Sequence, residues 1–179
     1  MTHFYLANKY DPQNLPYYGR YIDNALKTKN NIQVARGLTA LIDTLEKQRQ
    51  VSIAFPKLDD ERVYPFLTKE SLGCVLDGLT SEPCFSKVFY LLGLPMIKTN
   101  QELAIRFLEA ARDMSPKYGY FYAELASVYR HEIKNEIKVS EIVTQCLAVV
   151  GGPFEHCRSL TKMGLPLPGF YKTKILNIL

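Results

Sequence analysis

The amino-acid sequence predicts an all-α fold in which antiparallel helical hairpins stack one on the next. Three observations carry this. Apolar residues recur with helical period through most of the chain. The breaks between these stretches are short and built of Pro, Gly and Asn. No stretch shows the sustained period of two that a half-buried strand needs. Connections this short make helices that are neighbours in sequence pack antiparallel.

Residues 1–16 read as an arm. Asp11-Pro12 and Leu15-Pro16 interrupt regular structure there, because each proline disfavours helix at the residue before it. A first helix then carries Tyr17, Tyr18, Tyr21, Ile22, Ala25 and Leu26 on one face. Asn30-Asn31 stops it and can cap the next, whose face is Val34, Ala35, Leu38, Leu41, Ile42 and Leu45. Residues 51–55 fit prolonged helix or extended chain, and Pro56 ends either. A helix restarts near Pro65, a residue suited to a first helical position, with Leu67, Leu72, Val75, Leu76 and Leu79 as its apolar face. Ser81-Glu82-Pro83 is a turn. The next helix contains Val88, Phe89, Leu92 and Gly93 and stops near Leu94-Pro95. Thr99-Asn100 caps a helix over 101–114, which Ser115-Pro116 breaks. Two more follow, over 118 to about 131 and over 138–150, the second ended by Gly151-Gly152-Pro153. A short helix at 154–163, Pro166, Pro168 and the apolar run Ile175-Leu176-Asn177-Ile178-Leu179 complete the reading, at seven or eight helices. The domain organisation is an arm (1–16), a helical domain (17–153) and a docked basic and apolar tail (154–179).

With 179 residues, 47% hydrophobic and 22% charged, the chain can bury one ordinary core. A net charge of +4 falls short of the imbalance of a dedicated nucleic-acid binder. Most of the excess lies after Gly151, where Arg158, Lys162, Lys172 and Lys174 face only Glu155. No apolar stretch approaches the roughly 18 to 20 residues of a membrane span. The first ten residues lack a basic stretch followed by an apolar one, which argues against a secretory signal. Cys74, Cys84, Cys146 and Cys157 form no CxxC pair. The expectation is a cytoplasmic protein with free thiols.

Within 86–150 one pattern is more specific. Ala104, Leu108, Ala111 and Pro116 follow at spacings of 4, 3 and 5, and then Tyr122, Leu125, Ala126 and Tyr129 at 3, 1 and 3. Phe89, Leu92, Gly93 and Met96 precede them in matching positions, and Val139, Val143 and Cys146 follow. This resembles the tetratricopeptide repeat, with repeats over about 86–116 and 119–150 and one-residue departures in spacing. The small residues suit close helix crossings, Leu108 fills the hole between them, and Pro116 can start a helix without its N–H. The resemblance implies a short right-handed array. Two repeats cannot cover their own faces, so the helices before Phe89 and the segment after Pro153 act as irregular caps.

In this family ligands lie in the groove lined by first helices. That maps onto Lys87, Tyr90, Leu94 and Ile97 of one repeat and Tyr120, Ala123, Ser127 and Arg130 of the next. Tyrosines offer contact area at low entropic cost, and Arg130 can clamp a carboxylate through two hydrogen bonds. The Lys/Asn set with which some members hold a C-terminal carboxylate is absent, which argues against a chaperone-tail receptor.

Chemistry is harder to place. His156 and Cys157 are adjacent, about 100° apart on a helix, and cannot act on each other as base and nucleophile. An enzyme would need a cross-pair such as Cys146 with His156, or a contribution from His131; His3 lies in the arm. No zinc spacing or phosphate loop exists, and Asp59-Asp60-Glu61 reads as a helix start rather than a calcium loop. No catalytic residue, cofactor or metal is assigned, and the chain is read as a non-enzyme. The expectation is an adaptor or accessory subunit that binds a partner's peptide or helix. The alternatives are a chaperone-like component of a secretion system, a Cys/His enzyme, and a nucleic-acid-binding accessory protein using Phe170-Tyr171 and the late cations. The terminal apolar run calls for burial, in this chain, a partner or a second copy.

Overall fold

The computed structural model describes residues 15–49, 56–150, 157 and 164–178. Most of the expected arm, the ambiguous 51–55, and all of the expected helix at 154–163 except Cys157 lie outside the described residues. Those described form eight α-helices and no strand. They are α1 (Leu15–Lys27), α2 (Asn31–Arg49), α3 (Lys69–Leu76), α4 (Glu82–Met96), α5 (Gln101–Met114), α6 (Gly119–Val128), α7 (Glu136–Val150) and α8 (Lys172–Leu176). A 3₁₀ turn, Tyr64–Phe66, precedes α3, and a π-helical turn, Tyr129–Ile133, extends α6. The chain divides into two compact units, Met1–Cys84 and Phe85–Leu179.

Asparagines set three helix starts. The side-chain oxygens of Asn30, Asn100 and Asn135 accept from the backbone N–H groups of Gln33 (3.1 Å), Leu103 (3.1 Å) and Lys138 (3.0 Å). Each satisfies a donor that the first turn leaves open. α3 begins later than expected. Pro65 belongs to the 3₁₀ turn, and Thr68 and Ser71 then cap the helix reciprocally, each side chain accepting from the other's backbone N–H. α4 begins inside the expected turn, because Pro83 is tolerated in a first turn, and it continues through Pro95 to Met96. Asp59-Asp60-Glu61 starts no helix. Asp60 instead accepts from the backbone and guanidinium of Arg62, which hold its carboxyl down at about 2.

The first unit is built on the α1–α2 hairpin with α3 against α1. Tyr18, Ile22 and Ala25 of α1, Val34, Leu38, Leu41 and Ile42 of α2, and Leu72 and Val75 of α3 are all buried. The Tyr18 hydroxyl meets Thr44 Oγ1 at 3.1 Å, tying the hairpin near its open end.

The second unit runs from Phe85, within α4, to α8. Phe85, Val88, Phe89 and Leu92 of α4, Phe107 and Leu108 of α5, Phe121 and Leu125 of α6, and Val139 and Val143 of α7 form its core. Gly93, Ala104, Ala111 and Ala126 are all buried. At Gly93 the approach of α5 is close enough to exclude a side chain. A Cβ there would lie 3.0 Å from the Ala104 carbonyl oxygen, 3.0 Å from Phe107 Cβ and 3.2 Å from Leu108 Cγ.

The free thiols expected from sequence are not found. Cys74 of α3 bonds Cys84 in the first turn of α4, and Cys146 of α7 bonds Cys157, with Cα separations of 5.8 and 5.9 Å; no cysteine is free. The reason is topological. Between α3 and α4 a short connection brings Cys84 back beside Cys74, and Cys157 lies beside α7 at a Cα distance within bonding reach of Cys146.

Candidate peptide-docking site

α4 and α6 meet through Tyr90 and Phe121, packed edge-on with ring centroids 6.3 Å apart. Of the eight residues assigned to a groove, Lys87, Tyr90, Ile97, Ala123 and Ser127 are buried, while Leu94, Tyr120 and Arg130 are half-buried. Burial lowers the pKa of the Lys87 ammonium.

A stretch of the chain itself lies on this face. Residues 164–178 approach as a strip of irregular chain (164–167), a turn (168–171) and α8. His131, in the π-helical turn, contacts the Leu165 carbonyl oxygen through Nε2 at 2.7 Å. A carbonyl only accepts, so Nε2 carries the proton. The Gly169 N–H donates to Glu124 Oε1, and the Tyr171 N–H also reaches this carboxylate. Gly169 has φ +90°, a conformation that L side chains rarely adopt. The Tyr171 ring packs on Tyr120 with centroids 5.7 Å apart, and Phe170 stands edge-on against Tyr171 at 5.1 Å. Tyr171 and Ile175 are buried.

Glu124 is the chemical centre of this contact. It is fully buried on α6, among apolar neighbours in sequence. Burial raises its pKa to about 7, against the lowering effect of the Gly169 and Tyr171 N–H groups and the nearby Tyr90 hydroxyl. The same burial, with the Glu124 charge adding to it, raises the pKa values of Tyr90 and Tyr171. Glu124 Oε2, the Tyr90 hydroxyl and Ser127 Oγ are buried without a hydrogen bond of ordinary geometry. The strip therefore serves one carboxylate oxygen and gives no hydrogen bond to these three polar atoms beneath it.

A pH dependence follows. With the folded pKa above the ordinary carboxyl value of 4.5, the proton is held more tightly folded than unfolded. The associated stability is fully present below pH 4.5 and is lost as pH rises to about 7, a change on the order of 3 kcal/mol. Glu124→Gln keeps an acceptor for Gly169 and cannot ionise. Urea midpoints of the variant, measured from pH 4.5 to 8, should lack the decline seen in the wild type. Parallel curves would remove Glu124 from this role.

Arg130 does not stand open as a carboxylate clamp. Its Nε and terminal nitrogen donate to the two oxygens of Glu136 at 2.9 and 2.8 Å, and this pairing lowers the Glu136 pKa. The residues that sequence reasoning missed are Glu124, His131 as a docking contact, Leu165, Gly169 and Tyr171. A lone carboxylate inside the apolar run Tyr120-Phe-Tyr-Ala-Glu-Leu-Ala126 was the available signal, because a buried charge requires a partner.

The residues behind the alternative readings are placed in part. Cys146 is bonded to Cys157 and offers no thiolate, and His156 lies outside the described residues. Among the described residues no group of three or more His, Cys, Asp or Glu could hold a metal ion. Tyr171, one of the two rings considered for base stacking, is already packed on Tyr120, and Arg158 and Lys162 lie outside the described residues.

The described residues thus define an all-helical protein in which no helix is long and apolar enough to cross a membrane. Compared with protein-family models, curated proteins and solved structures, the chain matches none of them.

Proposed function

We propose that this chain is a protein–protein interaction adaptor or accessory subunit, with α4–α7 forming two degenerate tetratricopeptide-like hairpins. Its action is to hold a polypeptide segment on the face shared by α4 and α6. The observation that carries this reading is the contact of Glu124 and Tyr120 with residues 169–171, where a buried carboxylate meets main-chain N–H groups and a ring meets a ring. Backbone N–H groups in register with an aromatic are what a peptide offers and a small metabolite does not. The two cysteine pairs favour an oxidising compartment over the cytoplasm expected from sequence.

The test is a panel of synthetic 15-residue peptides rich in Pro, Gly and aromatics, titrated against the full chain by fluorescence anisotropy. Binders should emerge, and Tyr120→Ala should weaken them by roughly tenfold, as loss of an aromatic pair does. A panel without binders, or binders indifferent to Tyr120→Ala, would reject the reading.

A further inference from the structure

Resting on that reading, we propose that residues 164–178 are a displaceable internal ligand, occupying the α4–α6 face in place of a partner segment of the same chemistry. That partner is a Leu/Pro stretch that turns into glycine and aromatics, with a hydrogen-bond donor able to reach the second oxygen of Glu124.

Three features support displacement rather than permanent packing. The recognition is local and peptide-like. His131 holds the Leu165 carbonyl, Glu124 holds the Gly169 N–H, and Tyr120 takes the Tyr171 ring, all within one short strip. The fit beneath the strip is incomplete, because Glu124 Oε2, Tyr90 and Ser127 gain no hydrogen bond from it. Buried polar atoms left in this way weaken the bound state, and a ligand that satisfies them binds better. The strip also anchors at a few points only. Leu165, Tyr171 and Ile175 are buried, whereas Leu167 and Phe170 between them are each 69% exposed.

Glycine at 169 is the point at which occupancy can be changed without touching the receptor face. Alanine there must adopt a positive φ, whereas its Cβ would meet only Leu94 Cδ atoms at 3.7 and 3.9 Å, an ordinary contact. Gly169→Ala therefore penalises docking of the internal strip and leaves α4 and α6 unchanged.

The experiment titrates a fluorescent peptide of residues 164–178, with its native glycine, into the full-length wild type and full-length Gly169→Ala. The variant should bind the peptide roughly fivefold to tenfold more tightly, the size expected for forcing alanine to a positive φ. Adding Tyr120→Ala to Gly169→Ala should remove that binding. As an independent measure in the wild type, saturating peptide should speed amide exchange across the chain's own 169–176. Equal affinity for wild type and Gly169→Ala, with loss on Tyr120→Ala, would overturn the internal ligand and leave the peptide-binding face standing. No binding to either protein would overturn both. Unchanged amide exchange at saturation would show the strip is not displaced. A concentration-dependent dimer of the wild type that the peptide dissolves would make the occupant a second copy's strip, and would equally overturn an internal one.

Discussion

Gly93→Val is expected to destabilise the Phe85–Leu179 unit by about 3 kcal/mol, at the upper end of what overpacking costs. A valine there adds three carbons at the α4–α5 crossing. Its Cβ alone would lie 3.0 Å from a backbone carbonyl oxygen, Ala104's, which can move only if α5 moves with it. The other two neighbours, Phe107 and Leu108, are fully buried and have nowhere to retreat. For a unit of this size the thermal midpoint should fall by roughly 15 °C. Gly73 on α3 provides the contrast, since a Cβ there meets nothing within 4 Å. A Gly93→Val protein that melts with the wild type would mean that α4 and α5 do not cross at this residue.

Reduction of the two disulfides is the second large effect. Each closes a short loop, with sequence separations of 10 and 11, and a loop of that length removes about 2.7 kcal/mol of unfolded-state entropy in the chain-entropy model. The pairs belong to different compact units, so the losses should add to about 5 kcal/mol. Chemical denaturation with and without reductant measures this directly. Alkylation of the unreduced, denatured protein, followed by intact mass, checks the premise. Any thiol labelled before reduction, or identical denaturation curves, would contradict the pairing.

Both predictions show which parts of the fold were legible. The apolar faces Tyr18/Ile22/Ala25 and Val34/Leu38/Leu41/Leu45 are local patterns, and all of these residues are buried. Asn30 and Asn100 announce their helices for the same reason, because a cap acts within three residues of itself. Gly93, Ala104, Ala111 and Ala126 could be picked out because small residues have a specific use where helices cross. Helix starts at prolines were misjudged. Pro65 and Pro83 both suit a first turn, and only Thr68 and Ser71, read as a pair, show where α3 begins.

The groove positions on α4 and α6 come from the repeat resemblance, which says where a ligand would lie and nothing of what this chain places there. What covers them depends on contacts between residues far apart, such as Glu124 with Gly169, 45 residues on. No local rule links the two. The cysteines failed in the same way. Their spacing is silent on pairing, which depends on where the fold places each of them.

The bond between Cys146 and Cys157 has a further consequence for the strip that begins at residue 164. It anchors Cys157 to α7, so six residues of sequence, 158–163, stand between a bonded position and the strip, where thirteen, 151–163, separate α7 from it along the chain. For the proposed internal ligand, breaking that bond puts more chain between anchor and strip and lowers the effective concentration of the strip at Glu124. Thiol chemistry on α7 would then bear on the threshold that an outside competitor meets.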